Sequence, residues 1–440
     1  MKKQRYNLKQ GLQELRAFLK ELAENAKREM SFQPARMFAS VNLGGVVMDH
    51  KESRQYERIL QKLSPDDGVP RHMSRATVDS LLQECILTAL NDQHGHPLEQ
   101  RIEAATGTLR EKLKAPIVEW EVWQPVEGLK VGQDGFQFGK AFFCSRSHEL
   151  AREARNRVIG TIESRRNSSS GAFTELFWPK QFDDLTLCRI PISACDKNAA
   201  KELAAFELDA TLAVLNFFAS VVFPVEYLPL VSLPGEFPTR KTDALVLGSE
   251  SISVGSAASS SNRVPVPLDI NTLREEEVLC KAMDKASALL RDEGEEEYRD
   301  RLVTAMKWAG KGATINRRED AFLFYSIALE ALLLGGKHDE QLSYRLRLRA
   351  AHLLGSSVAS RTFVRDKVND LYTMRSKIVH TGNMQIPGVD LKQLRRLTCD
   401  AIIHLLTDSR FNAISTGRAL DDWFEHALIG GPDFDSPINQ

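Results

Sequence analysis

Two side chains that can do chemistry stand near the end of the segment Leu371–Gly382, namely Arg375 and, five positions later, His380. A guanidinium with fixed donors suits an anion, and an imidazole, which titrates near neutral pH, suits proton transfer. The spacing of four and three predicts one buried helical stripe made of Val364, Val368, Leu371, Arg375 and Ile378. Arg375 thus takes an apolar position, where a charged guanidinium needs an anion or a ligand.

The end of this helix is predicted from Gly382, because glycine accepts the left-handed conformation of a helix cap. The imidazole of His380 is then expected at the helix end, near Arg375 but not fixed beneath it. Two interpretations follow. In the first, Arg375 and His380 act together on a bound ligand. In the second, Arg375 belongs to a buried ion pair and His380 only occupies a helix end.

Two further charges lie on predicted apolar stripes and must position or balance such a site. Glu330 is in line with Leu323, Ile327 and Leu334, and Arg349 is in line with Leu342, Leu346 and Leu353. An unpaired buried carboxylate would be costly, so the sequence favours a structural ion pair between Glu330 and Arg349. The alternative is that Glu330 instead orients Arg375.

The pattern Leu371-Tyr372-x-x-Arg375-Ser376-x-Ile378-Val379-His380 resembles the signature of the HEPN superfamily of ribonucleases. Two preceding segments, 328–333 (ALEALL) and 342–355 (LSYRLRLRAAHLLG), make it similar to the Apea-like branch, over roughly residues 317–410. Many members of the superfamily carry Asn, Asp or His after the arginine. Here Ser376 takes that position as a further polar group.

The resemblance implies an RNA endonuclease that needs no metal or other cofactor and uses the 2'-hydroxyl of the RNA as nucleophile. Arg375 would stabilise charge on the phosphorane, and His380 would transfer a proton. It also implies a homodimer through the C-terminal bundle and a toxin-like role in phage defence or abortive infection. The alternative is a non-catalytic module that binds protein. No phosphate-binding loop supports a nucleotide-binding regulator.

The charge of the whole chain, formally -1, predicts no nucleic-acid binding, but its distribution is uneven. Residues 299–377 hold fifteen Lys or Arg against eight Asp or Glu, whereas residues 274–297 hold four against nine. A basic region of that size can neutralise several phosphates. With the motif inside it, we expect RNA as the partner.

Six scattered cysteines predict neither a disulfide framework nor a zinc site and fit a reducing cytoplasm. The N-terminus has no apolar segment typical of a signal peptide. The most apolar run, Ala213–Val225, is too short for a bilayer and contains Asn216 and Pro224. We therefore expect a cytoplasmic protein without a membrane role.

The fold class is predicted as α+β, with a mixed N-terminal region followed by an all-α HEPN-like bundle. Helical periodicity predicts a helical region over 1–115, including Leu8–Met30 and Tyr56–Leu63, and alternation predicts a mixed sheet region over 116–248. The Ser- and Pro-rich segment 249–267 predicts a linker or exposed loop, and 268–440 the bundle. The N-terminal region is then available to sense a trigger or restrain the bundle.

Overall fold

The protein is described from a computed structural model. The structure describes residues 8–29, 41–43, 46–48, 50–64, 72–90, 96–164, 181–224, 229–234, 241–247, 252–258, 267–292, 297–335, 341–381 and 385–429.

Four helices and a short hairpin begin the chain. Their bounds are α1 (Leu8–Glu29), β1 (Val41–Leu43), β2 (Val46–Met48), α2 (His50–Leu63), α3 (Arg75–Leu90) and α4 (Leu98–Lys112). Their apolar stripes meet in one core that contains Phe18, Leu60 and Ile86. Burial of these stripes, rather than the helix propensity of the residues, is what holds such helices together.

The middle of the chain combines strands and helices, as the alternating pattern predicts. The elements are β3 (Val118–Val126), β4 (Leu129–Lys130), β5 (Phe136–Phe138), β6 (Ala141–Cys144), α5 (Glu149–Ser164), α6 (Gln181–Asp184), β7 (Thr186–Ala194), α7 (Lys197–Val222), β8 (Lys241–Leu247) and β9 (Ile252–Ala258). A four-stranded sheet has the order β3-β7-β6-β5, with β6 antiparallel to both of its neighbours.

The C-terminal part is helical. After β10 (Leu268–Asp269), which pairs in parallel with β4, come α8 (Ile270–Leu273), α9 (Glu277–Arg291), α10 (Glu297–Thr314), α11 (Arg318–Leu334), α12 (Leu342–Leu354), α13 (Val358–Thr381), α14 (Gly388–Thr407) and α15 (Gly417–Leu428). The predicted α+β class, a small sheet followed by a helical C-terminal region, is therefore confirmed.

Among the described residues, α7 is long and apolar enough to cross a membrane by length and composition. However, 67% of its most apolar stretch is buried inside the protein, as expected for the central helix of a folded core. Asn216 explains how a polar residue fits there: its side-chain amide donates to the carbonyl of Val231 at 2.8 Å and accepts from the Val231 N–H at 2.9 Å.

The compact units differ from the predicted domains. Residues 1–122 and 191–206 form one unit, and residues 123–190 and 207–440 form the other. The predicted linker at 249–267 is not the division, and part of it, β9, pairs antiparallel with β8 along seven residue pairs. Residues 249–251 and 259–266 of that segment lie outside the described residues.

The physical reason for the difference is that the sheet and the C-terminal helices share side-chain contacts within the second unit. Phe138 of β5 meets Phe218 of α7 edge to face, with ring centroids 6.2 Å apart. The buried N–H of Gly139 donates to the hydroxyl of Ser287 on α9 at 2.9 Å. The helical bundle therefore completes its core with residues that precede the Ser-rich segment.

Candidate active site

Helix α13 carries Arg375 and His380. The capping of its first turn and the burial of one of its faces determine where these two side chains lie. Ser357 and Ser360 cap its first turn reciprocally, each hydroxyl accepting from the other residue's backbone N–H, at 3.2 and 2.8 Å. Such reciprocal capping satisfies backbone donors that no helical carbonyl reaches. The predicted stripe is confirmed, since Val364, Val368, Leu371 and Ile378 are all buried.

Arg375 faces Glu330 of α11. This is the contact expected from the alternative in which Glu330 orients Arg375 rather than pairing with Arg349. Arg375 Nε lies 3.2 Å from Glu330 Oε1, and Nη2 donates to Oε2 at 3.4 Å. The first contact has the distance of an ion pair but not the alignment of a hydrogen bond, so both of these buried atoms keep unused hydrogen-bonding capacity. The guanidinium side chain is still 28% exposed. It is held by a carboxylate and open to a ligand.

Burial and charge act in opposite directions at this pair. Burial raises the pKa of Glu330, and the positive charge of Arg375 opposes that rise. The ring of Tyr372 lies 5.7 Å from the Arg375 guanidinium carbon, and burial, together with the charge of Glu330, raises its pKa as well. The carboxylate is therefore incompletely stabilised, and an approaching anion would compete with it for the guanidinium.

His380 lies near the end of α13 and is exposed. It lies five positions after Arg375, which corresponds to about 7.5 Å along the helix axis and about 140° around it. No hydrogen bond joins the two side chains among the residues that the structure describes. The imidazole is thus accessible at the helix end, as predicted, but it points away from the guanidinium. Both could act on one substrate only if it wraps around the helix end or if a second chain contributes.

The predicted ion pair between Glu330 and Arg349 is wrong. Arg349 is only 3% exposed and donates to the carboxylate of Asp421 on α15 and to the carbonyl of Leu333, both at 2.6 Å. Its guanidinium also lies 5.2 Å from the ring of Phe424. The physical reason is that Leu333 supplies one of the free carbonyls at the end of α11, where a cation is favoured, while α15 supplies the counter-charge.

A second buried arginine, Arg301 of α10, shares the same carboxylate. It makes two hydrogen bonds of 3.1 Å to Asp421 and one of 2.7 Å to Glu297. We call Arg301, Arg349, Asp421 and Glu297 the arginine cluster. Burial lowers the pKa of Arg349, whereas for Arg301 the same effect is more than offset by Asp421 and Glu297, which raise the pKa. Arg349 has one carboxylate and Arg301 has two.

Sequence reasoning missed Arg301 and Asp421, although a signal existed for the second. Asp421 follows Leu420 and lies three positions before Phe424, so it borders the apolar stripe of α15 that both of these residues help to form. Because Asp422 follows it directly, the sequence pattern of Asp421 and Asp422 is typical of a solvated helix surface. Arg301 is likewise surrounded in sequence by the buried Tyr298, Leu302 and Ala305 of α10.

Ser376 is half-buried on α13, about 100° around the helix from Arg375 on the side toward His380. Ser376 is therefore a polar neighbour of Arg375 and His380, the two predicted site residues. Within the described part of the chain, no group of three or more His, Cys, Asp or Glu side chains is arranged to hold a metal ion.

Comparison with known proteins adds no relative. No protein-family model matches the chain, and neither a curated protein nor a solved structure is significantly similar to it.

Proposed function

We propose that the protein is a metal-independent RNA endonuclease of the HEPN type in which Arg375 and His380 act on the scissile phosphate. The observation that carries the proposal is the state of Arg375. It occupies an apolar helical position, is held by Glu330, and keeps a side chain that is 28% exposed. A partly buried arginine whose side chain still reaches the surface is suited to charge that develops on phosphorane oxygens.

The role proposed for His380 rests on its exposure at the helix end. An imidazole there can reach a ribose hydroxyl and transfer a proton to or from it. Cleavage would proceed by loss of the 2'-hydroxyl proton as the 2'-oxygen attacks the adjacent phosphorus, and the bond between phosphorus and the 5'-oxygen would break. The 5'-oxygen leaves with a proton, and the products are a 2',3'-cyclic phosphate and a 5'-hydroxyl. Ser376 offers a further hydroxyl between the two groups.

The cleavage assay is done with purified full-length protein and total RNA in the presence of EDTA. We expect cleavage to survive chelation and to fall by about 10²–10⁴-fold in His380→Ala and by a similar factor in Arg375→Ala. His404→Ala changes an exposed histidine of α14, is the matched control and should cleave normally. End-group analysis should find cyclic phosphate. Wild-type protein that leaves RNA intact, or His380→Ala protein that cleaves at full rate, would contradict the proposal.

The same variants test the proposed role as a toxin-like effector in defence against phage. Expression of the wild-type chain should arrest growth, and Arg375→Ala should relieve that arrest. The N-terminal helical unit is proposed as the sensor or regulator. Substitutions confined to α1–α4 should then alter growth arrest while the purified protein cleaves RNA at an unchanged rate.

A homodimer through the C-terminal bundle is proposed because Arg375 and His380 lie about 140° apart around α13. Within one chain, the guanidinium and the imidazole therefore face different sides of the helix. Two copies related by a two-fold axis can complete a shared groove. Light scattering should give twice the chain mass at micromolar concentration. A monomer with full RNA cleavage activity would contradict the shared groove.

The second candidate is a non-catalytic module that binds protein. It is favoured by the ion pair between Arg375 and Glu330, which partly satisfies the guanidinium without substrate, and by exposed apolar side chains nearby in sequence. Val379 is 54% exposed and Val389 is 60% exposed. Retention of a protein partner by Arg375→Ala and His380→Ala, together with a lack of RNA cleavage by wild type, would support this candidate.

A further inference from the structure

A groove of about 670 Å³ lies between α1 and α2 in the N-terminal unit. Its wall on α2 carries four cations, Lys51, Arg54, Arg58 and Lys62. They recur at spacings of three, four and four residues and therefore line one face of that helix. Because α2 begins at His50, whereas the sequence predicted a helix only from Tyr56, this row of charges was not recognised from the pattern.

Both ends of the groove are closed by ion pairs. Lys62 pairs with Glu14, and Lys51 pairs with Glu21 at 2.6 Å. These pairs show that the two helices run antiparallel, since the first carboxylate of α1 meets the last cation of α2. They also use both of the carboxylates that line the groove.

The middle of the groove has cations without carboxylates. Ala17 stands between Glu14 and Glu21 on the same face of α1, so a methyl group lies where the row would place an acid. Opposite, Arg54 hydrogen-bonds to His50 Nε2 at 2.7 Å. Neither Arg54 nor Arg58 forms an ion pair with any residue that the structure describes. Two guanidinium groups therefore border open space beside a small residue.

We propose that this groove binds the phosphoryl group of a small phosphorylated ligand of about nucleotide size. Two arginines present planar forks that match phosphate oxygens better than ammonium groups do. The volume falls within the range of about 300–1,000 Å³ that is usual for small-molecule sites. Most of the residues that line the groove are charged, so the anion supplies the recognition. The flanking ion pairs fix the length of the site.

This site is independent of the proposed RNA cleavage. It uses none of the residues assigned to that reaction, and it would stand if the C-terminal helices only bound protein. It gives the N-terminal helical unit a ligand of stated chemistry, and such a ligand is one way for that unit to sense a trigger.

The test is isothermal titration calorimetry of the full-length protein with pyrophosphate and with a nucleoside diphosphate, in buffer whose ionic strength is held constant with sodium chloride. We expect binding by the wild type. Arg54→Gln and Arg58→Gln should each weaken it by about tenfold or more, the usual effect of removing a hydrogen bond to a charged group. Arg110→Gln on the exposed face of α4 removes the same charge elsewhere and should bind as the wild type does.

Ala17→Glu is the sharper variant, because it adds the acid that the row on α1 lacks. Its carboxylate should pair with the guanidinium groups of Arg54 and Arg58, abolish ligand binding and leave the melting temperature equal or higher. A wild type that binds neither probe at millimolar concentration overturns the proposal. So does equal weakening in Arg110→Gln and Arg54→Gln. Binding of an RNA oligonucleotide in this groove, with neither small probe bound, would also overturn it.

Discussion

An Asp421→Ala variant should unfold with a free energy about 3–5 kcal/mol below that of the wild type, the cost of leaving buried charges without their partner. Asp421 is the carboxylate that Arg301 and Arg349 share, and the two arginine side chains are only 5% and 3% exposed. Glu297 remains available to Arg301 alone, and its own side chain is 55% exposed. Arg349 would keep a single acceptor, the carbonyl of Leu333.

The control for this variant is the adjacent residue. Asp422→Ala removes the same group from a side chain that is 53% exposed and lies 4.0 Å from the 91% exposed Arg418. A solvated pair of that kind contributes little, so the stability should change by no more than about 0.5 kcal/mol. Urea unfolding followed by circular dichroism measures both. Equal losses for the two variants would mean that the arginine cluster does not stabilise the fold.

The arginine cluster shows why the sequence could place Glu330 and Arg349 on inward-facing stripes and still pair them wrongly. A stripe at spacings of four and three tells which side chains of a helix face inward. It does not tell which other helix that stripe meets. Glu330 and Arg349 both point inward, yet α13 supplies the partner of the first and α15 the partner of the second.

The same limit applies to the domain division. The segment 249–267 is rich in small and polar residues, which predicts a linker. Composition alone, however, does not determine where one compact unit ends and the next begins. Ile252–Ala258 pairs with Lys241–Leu247 although it is rich in Ser, Gly and Ala. In the C-terminal part, by contrast, helical periodicity predicts helices over Arg318–Leu334, Leu342–Leu354 and Gly417–Leu428, and the structure has helices with these bounds. Local periodicity is enough to define them, whereas partners across a core depend on tertiary packing.

Because of this packing, a fragment that begins after the Ser-rich segment lacks part of the core of the second unit. Removing everything before residue 263 would delete α7, which contributes Phe217 and Phe218, both fully buried, to the second unit. The helical bundle would then expose an apolar surface. The proposed regulation by the N-terminal region is therefore better examined in the full chain, with substitutions on α1–α4, than by deleting the region before the Ser-rich segment.

Gly310 of α10 lies against the backbone of Ala213 on α7. A Cβ added to Gly310 would lie 1.8 Å from the carbonyl oxygen of Ala213 and 2.7 Å from its carbonyl carbon. Both are backbone atoms in the interior of a helix, so neither can turn aside as a flexible side chain would. Lys311 of α10 and Asp209 of α7 form an ion pair of 3.2 Å that also joins the two helices.

Gly310→Ala should therefore lower the free energy of unfolding by about 1–3 kcal/mol or more, because an added methyl group forces the two helices apart. The matched control is Gly160→Ala on α5, where an added Cβ meets nothing within 4 Å. That variant should gain about 0.5–1 kcal/mol, since alanine is the better helix former. Opposite signs for one and the same substitution would establish that α7 and α10 belong to one core, and that the bundle begins before the Ser-rich segment. Two stabilised variants would place the contact between α7 and α10 outside the cooperative core.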